Sequence, residues 1–149
     1  MIDLTGHVAL VTGGSRGIGH ASALALARAG ADVALTYLNA PEDAQDAAAD
    51  ILELGRQALV LRADLSEVED AKLTIDAVAE HFGRLDIVVS NAAGGGFRPL
   101  LEVDPENFEY AMNLNVRALL LLAQAGVRHL ERSADSGQRS RIISLSSWG

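Results

Sequence analysis

Four glycines carry the first chemical signal in the sequence. In Thr12-Gly13-Gly14-Ser15-Arg16-Gly17-Ile18-Gly19 they permit a tight turn and let bare backbone N–H groups at a helix N-terminus approach a pyrophosphate. A turn of this kind is a dinucleotide site when it follows a strand and opens a helix; otherwise it is a glycine-rich turn without a ligand. The remaining polar residues point away from other chemistries. The histidines at 7, 20, 81 and 129 are scattered, with no pair at metal-binding spacing, so no metal is expected. Glu42, Asp43, Asp46, Asp50 and Glu53 spread over a helix surface and read as a solvated face, not an acid/base pair.

The glycine turn needs a strand before it and a helix after it, and the flanking pattern provides both. His7 to Thr12 reads as a first strand, and Ile18, Ala21, Ser22, Ala25, Leu26 and Ala29 then recur on one helical face until Gly30. Asp32 to Tyr37 reads as a second strand. A helix follows, opened by Pro41, with Ala44, Ala47, Ala48, Ile51 and Leu52 inward, and ends at Gly55. Gln57 to Leu61 is a third strand. Val68, Ala71, Ile75, Val78 and Phe82 mark a third helix closed by Gly83, and Leu85 to Ser90 is a fourth strand. Residues 91–99 form a Gly-rich loop. Asp104 and Pro105 start a long helix through Phe108, Met112, Asn115, Leu119 and Leu122 to about His129. Ser133 to Ser140 is a loop, and Arg141 to Ser146 is a fifth strand.

Five apolar strands alternating with helices predict one α/β dinucleotide-binding domain over residues 1–149, a doubly wound parallel sheet (Rossmann fold) with helices on both faces. Ligands in this topology bind outside the carboxyl ends of the strands, here between the first and fourth. Composition narrows the partners. The chain has 149 residues and no cysteine, which is one ordinary domain that needs no disulfide. With 12 Lys+Arg against 20 Asp+Glu and a net charge of -8, neither nucleic acid nor an anionic membrane is expected as a partner. The longest uncharged apolar stretch, Ala118 to Val127, is shorter than the roughly 20 residues of a bilayer span. The N-terminus lacks a signal-peptide pattern. A soluble cytoplasmic protein is expected.

The spacing T-G-x-x-x-G-x-G, in place of G-x-G-x-x-G, resembles the fingerprint of the short-chain dehydrogenase/reductase family. The resemblance implies a nicotinamide dinucleotide on Gly13, Ser15, Arg16, Gly17, Ile18 and Gly19. Asp64, followed by Leu65, matches the family's adenine-contacting aspartate; the other reading of Asp64 is a helix N-cap, and both roles are compatible. Asn91-Ala92-Ala93 matches the family's N-N-A-G segment, a cofactor-supporting turn, with Ser90 for its first asparagine and Ala93 for its glycine. Asn115 matches the asparagine that holds a proton-relay water, the other reading being a structural hydrogen bond on the stripe of Met112 and Leu119. Ser147 matches the catalytic serine; by itself it would be an ordinary turn residue at a strand end.

Charge near the ribose 2′ position selects the cofactor. An acid about 20 residues beyond the glycines would hydrogen-bond a free 2′-hydroxyl, but the neighbourhood reads Thr36-Tyr37-Leu38-Asn39. Arg16 can offer a guanidinium to a 2′-phosphate, so NADP(H) is expected. The other reading of Arg16 is a solvated loop residue. The family's catalytic tyrosine and lysine lie on the helix after the fifth strand, and neither Tyr37 nor Tyr110 occupies that place. The chain is therefore expected to be the N-terminal part of a longer reductase and inactive alone, with its fifth strand an unprotected edge. Asn91 to Glu102, Met112 to Asn115 and Ser144 to Gly149 are similar to the enoyl-acyl carrier protein reductase III branch, which implies reduction of an acyl-thioester substrate of fatty acid biosynthesis. A 3-oxoacyl-carrier-protein or other carbonyl reductase is the alternative, and a noncatalytic dinucleotide-binding module is another. Family members commonly form homo-oligomers, so a tetramer or dimer is expected of the full-length protein.

Overall fold

Short β-branched and apolar runs pair into one parallel sheet in the computed structural model, which describes residues 2–95, 98–137 and 139–146. The strands are β1 (Val8–Val11), β2 (Asp32–Tyr37), β3 (Ala58–Arg62), β4 (Ile87–Ser90) and β5 (Arg141–Ser144). Their order is β3-β2-β1-β4-β5, with Val8 opposite Asp32 and Ala9 opposite Ile87. The chain thus winds outward from β1 to β3 and crosses back to β4. The switch point falls between β1 and β4, as the alternation of elements predicts.

The two-residue repeat of a strand divides the core. Val8 and Leu10 of β1 and Ala34 of β2 join Ile75, Val78 and Leu122 on one face of the sheet. Ala9, Val11, Val33 and Leu35 join Ala23, Ala27, Ala44, Ala47 and Ile51 on the other. The helices that supply these residues are α1 (Gly17–Arg28), α2 (Pro41–Glu53), α3 (Val68–Phe82) and α5 (Ala118–Asp135), with α4 (Pro105–Met112) preceding α5. Leu10 and Leu35 are fully buried, each contributing about 2 kcal/mol of transfer free energy. Asp86, also fully buried, ties the foot of the sheet together. It accepts from the Val8 amide at 2.7 Å and from Arg84 Nε and Nη2 at 2.8 and 2.7 Å.

Four expectations need correction. The inward face of α1 is Gly19, Ala23 and Ala27, not the stripe that begins at Ile18, whose side chain is 67% exposed. Only a residue without a side chain fits where α1 meets the turn after β1, so Gly19 sets the face and the larger apolar residues follow from it. In α2, Leu52 is exposed while Ala44, Ala47, Ala48 and Ile51 pack inward. The long helix is interrupted by a π-turn at Asn113–Arg117, and the buried stripe that follows is Leu114, Ala118, Leu122, Gly126 and Leu130. The wider turn rotates the face, which leaves Phe108 and Met112 exposed. This helix also runs past His129 to Asp135, because Ser133 is buried and donates its hydroxyl to Leu85 O at 3.1 Å. At the N-terminus of α4, Asp104 caps as expected, its carboxylate accepting from the Asn107 amide at 2.8 Å.

Candidate functional site

The carboxyl ends of β1 to β4 open on one cleft of about 470 Å³. Its floor is set by the turn after β1. Gly13 adopts φ 63°, a left-handed conformation that glycine takes freely, and its amide donates to Thr36 Oγ1 at 3.1 Å. The Gly14 amide donates to Thr36 O at 3.0 Å. Thr36 at the end of β2 therefore holds the first half of the glycine turn.

The Asn91 loop holds the start of the same turn from the side of β4. Asn91 Nδ2 donates to Thr12 O at 2.8 Å and to Gly13 O at 3.0 Å, while the Asn91 and Ala92 amides both donate to Thr12 Oγ1 at 3.0 Å. A methyl group on Gly19 would lie 2.2 Å from Gly13 O and 2.5 Å from Asn91 Nδ2. Such close packing brings the first turn of α1 against the turn after β1. Its N-cap, Arg16, makes no side-chain cap bond, and among the described residues the Gly17, Ile18 and Gly19 amides make no backbone hydrogen bond, which leaves them to an outside acceptor. Unsatisfied donors at a positive helix end form an anion site.

Above the glycine turn, the walls of the cleft are chemically distinct. Arg16, Tyr37, Leu38 and Asn39 line one side, and no carboxylate stands at this end of β2. Ala63, Asp64 and Leu65 line another. Asp64 Oδ1 accepts from the Ser66 amide at 3.0 Å and from Ser66 Oγ at 2.6 Å. This is an Asx-type turn. The N-cap of α3 is Glu67, so the reading of Asp64 as that helix's cap is corrected: it shapes the turn before the helix. Asp64 Oδ2 makes no side-chain hydrogen bond among the described residues.

Of the expected site residues, Gly13, Ser15, Arg16, Asp64, Leu65, Asn91, Ala92 and Ala93 come together in the cleft lining. Gly17, Ile18 and Gly19 form the first turn of α1 and do not line it. Asn115 also lies outside the lining, on the π-turn. It is exposed, and its amide is already engaged. Nδ2 donates to Gly94 O at 2.6 Å and Ala111 O at 2.8 Å, and Oδ1 accepts from the Gly94 amide at 3.2 Å. The structural bond foreseen for Asn115 is thus present, although the side chain is not buried. Ser147 lies outside the described residues.

Several contributors to the site had no part in the expected set, among them Thr12 and Thr36, which hold the turn, and Ala40, Ala63, Tyr110 and Leu114, which line the cleft. For Thr12 and Thr36 a signal existed, a hydroxyl at the end of each of two neighbouring strands. For Leu114 it was masked by the run of apolar residues around the π-turn. Among the described residues, no group of three or more His, Asp or Glu is arranged to hold a metal, and no helix is long and apolar enough to cross a membrane.

The short chain dehydrogenase family profile matches residues 7–149. The hydroxynaphthalene reductase arp2 of Aspergillus fumigatus is 44% identical over 146 residues, which cover 98% of this chain and 51% of that protein. The chain spans about half the length of the curated relatives it matches. A short chain dehydrogenase from Burkholderia cenocepacia, solved in complex with NADP, superposes with a TM-score of 0.90 at 44% identity, covering 97% of this chain and 56% of that one. An NADH-dependent reductase responsible for alginate metabolism superposes with a TM-score of 0.91 at 32% identity, covering 99% of this chain and 61% of its own.

Proposed function

The chain belongs to the short chain dehydrogenase family, and from that premise we propose that it is the cofactor-binding part of an NADP(H)-dependent oxidoreductase. One observation carries the reading: the first amides of α1, unpaired among the described residues, directly follow Arg16, which lines a cleft with no carboxylate at the end of β2. The amides accept the diphosphate, and Arg16 pairs with a 2′-phosphate that a carboxylate there would repel. The Burkholderia relative with NADP agrees with this preference. The NADH-dependent neighbour shows that the fold serves both cofactors, so the choice rests on Arg16 and the residues of β2.

Bound NADPH would supply a hydride from its nicotinamide. The chain's residues do the rest: Gly13, Gly17 and Gly19 admit the diphosphate, Asp64 meets the adenine end, and Asn91 to Ala93 support the middle of the cofactor. Asn115 fixes the loop at Gly94, and Ser147 donates a hydrogen bond to the oxyanion that forms on the substrate. For the complete protein, carbonyl-type reduction is the reading that the hydroxynaphthalene reductase name supports. Enoyl-thioester reduction is the second reading. It rests on the run Arg98-Pro99-Leu100-Leu101-Glu102, in which Leu100 and Leu101 are 86% and 97% exposed and offer an apolar surface to an acyl chain. Exposed Phe108, Met112, Val116 and Leu120 would serve homo-oligomeric contact.

Titration of the purified chain with NADPH and NADH, followed by dihydronicotinamide fluorescence, tests the cofactor assignment. Arg16→Ala should weaken NADPH by about tenfold or more, the loss of one charge-assisted bond, and leave NADH unchanged. Equal weakening of both would refute the role of Arg16. Assay of the complete protein with a naphtholic ketone and with an enoyl thioester separates the two reactions.

A further inference from the structure

We propose that Arg117 is a positioning residue for the base-binding end of the cleft, acting through Ser66 on Asp64. The inference rests on the cofactor reading above and deepens it. Arg117 closes the π-turn, and its Nη2 donates to the carbonyl oxygen of Ser66, a residue 51 positions earlier in the chain. Ser66 is buried, and both its amide and its hydroxyl are spent on Asp64 Oδ1. The Asp64 amide in turn donates to Asp70 Oδ2 at 2.7 Å. A continuous path therefore runs from the long helix to the carboxylate in the cleft wall.

Two features of Arg117 separate this contact from ordinary surface pairing. Its guanidinium forms no ion pair with a carboxylate among the described residues, and its Nε is buried without a partner. A partly buried charge held by one carbonyl is unfavourable by itself, so it marks a place where the contact is retained for geometry. The second feature is its location. Asn115, two residues earlier in the same π-turn, holds Gly94 by its amide and its carbonyl. One turn thus grips the loop after β3 through Arg117 and the loop after β4 through Asn115, fixing the spacing of two cleft walls. π-turns inside helices frequently occur at functional sites.

The test uses two half-ligands, adenosine 2′,5′-bisphosphate and reduced nicotinamide mononucleotide, titrated against wild type, Arg117→Met and Arg117→Lys. Arg117→Met should weaken the adenosine half and NADPH about tenfold and leave the nicotinamide half within twofold. Arg117→Lys, which can still donate one hydrogen bond, should restore most of that loss. In an Asp64→Asn background, Arg117→Met should add less than twofold, because its effect is routed through the Asp64 carboxylate. Equal weakening of both halves, no weakening, or full additivity with Asp64→Asn would overturn the assignment. If wild type binds neither NADPH nor the adenosine half, the cofactor reading itself fails, an outcome distinct from a variant that binds like wild type. Should Arg117→Met not fold, as judged by circular dichroism, Arg117→Gln and the Asp64→Asn, Arg117→Gln pair take its place with the same expected and overturning results.

Discussion

Gly19 shows how little room the site leaves. A side chain there would meet Gly13 O at 2.2 Å and Asn91 Nδ2 at 2.5 Å. The first is rigid backbone, and the second is held by two hydrogen bonds. Gly19→Ala should therefore destabilise the fold by about 1–3 kcal/mol through overpacking and weaken NADPH at least tenfold, because the amides of α1 would be pushed away from the turn. Urea unfolding and an NADPH titration check the two effects; wild-type values in both would contradict the packing described. At this scale the glycine spacing was legible in the sequence because the chemistry requires bare backbone. The hydroxyls of Thr12 and Thr36 gave only a weak signal, since a threonine ending a strand has the same appearance whether or not it holds a loop. The outward turn of Ile18 was illegible, because the face of a helix rich in alanine is chosen by its neighbours.

Among the elements, the foot of the sheet depends on the most deeply buried charge. Burial pushes the Asp86 carboxyl up, but the Arg84 guanidinium and the Val8 amide outweigh this and hold it below the ordinary value of 3.8. A carboxyl with a lowered folded-state pKa contributes stability above its unfolded-state value and loses it as pH falls through the folded-state value. This contribution should thus be lost as pH falls below 3.8. Asp86→Asn should destabilise the chain by about 3 kcal/mol at neutral pH, by leaving Arg84 unpaired, and flatten that acid limb. Urea unfolding at several pH values reads both, and an unchanged acid limb in the variant would contradict the assignment. Periodicity predicts α2 and α3 nearly to the residue, since Pro41 and Gly83 mark their ends. It fails at the π-turn. Residues 118–122 are Ala-Leu-Leu-Leu-Leu, which offers an apolar residue on every face and conceals a rotation of the helix.

On the scale of the whole molecule, the sheet places β1 and β4 at its centre and β5 at its rim. Ile142 and Ile143 of β5 are 42% and 44% exposed, and β5 pairs on one side only among the described residues. An exposed apolar edge of this kind templates further pairing. Solutions of the 149-residue polypeptide should scatter light increasingly with concentration, and Ile143→Lys should suppress this; equal scattering from both would rule out the edge as its source. The order of strands and the place of the cleft followed from the alternation of elements, because right-handed crossovers leave few topologies. Substrate choice did not, since the residues lining the cleft are those proposed to hold the cofactor and carry no mark of what receives its hydride. The cofactor reading requires that free amides at the start of α1 grip a diphosphate beside Arg16. A crystal of the chain grown with NADPH tests it most directly. The diphosphate oxygens should lie within hydrogen-bonding distance of those amides, with the 2′-phosphate against Arg16; an empty glycine turn, or a diphosphate bound elsewhere, would contradict it.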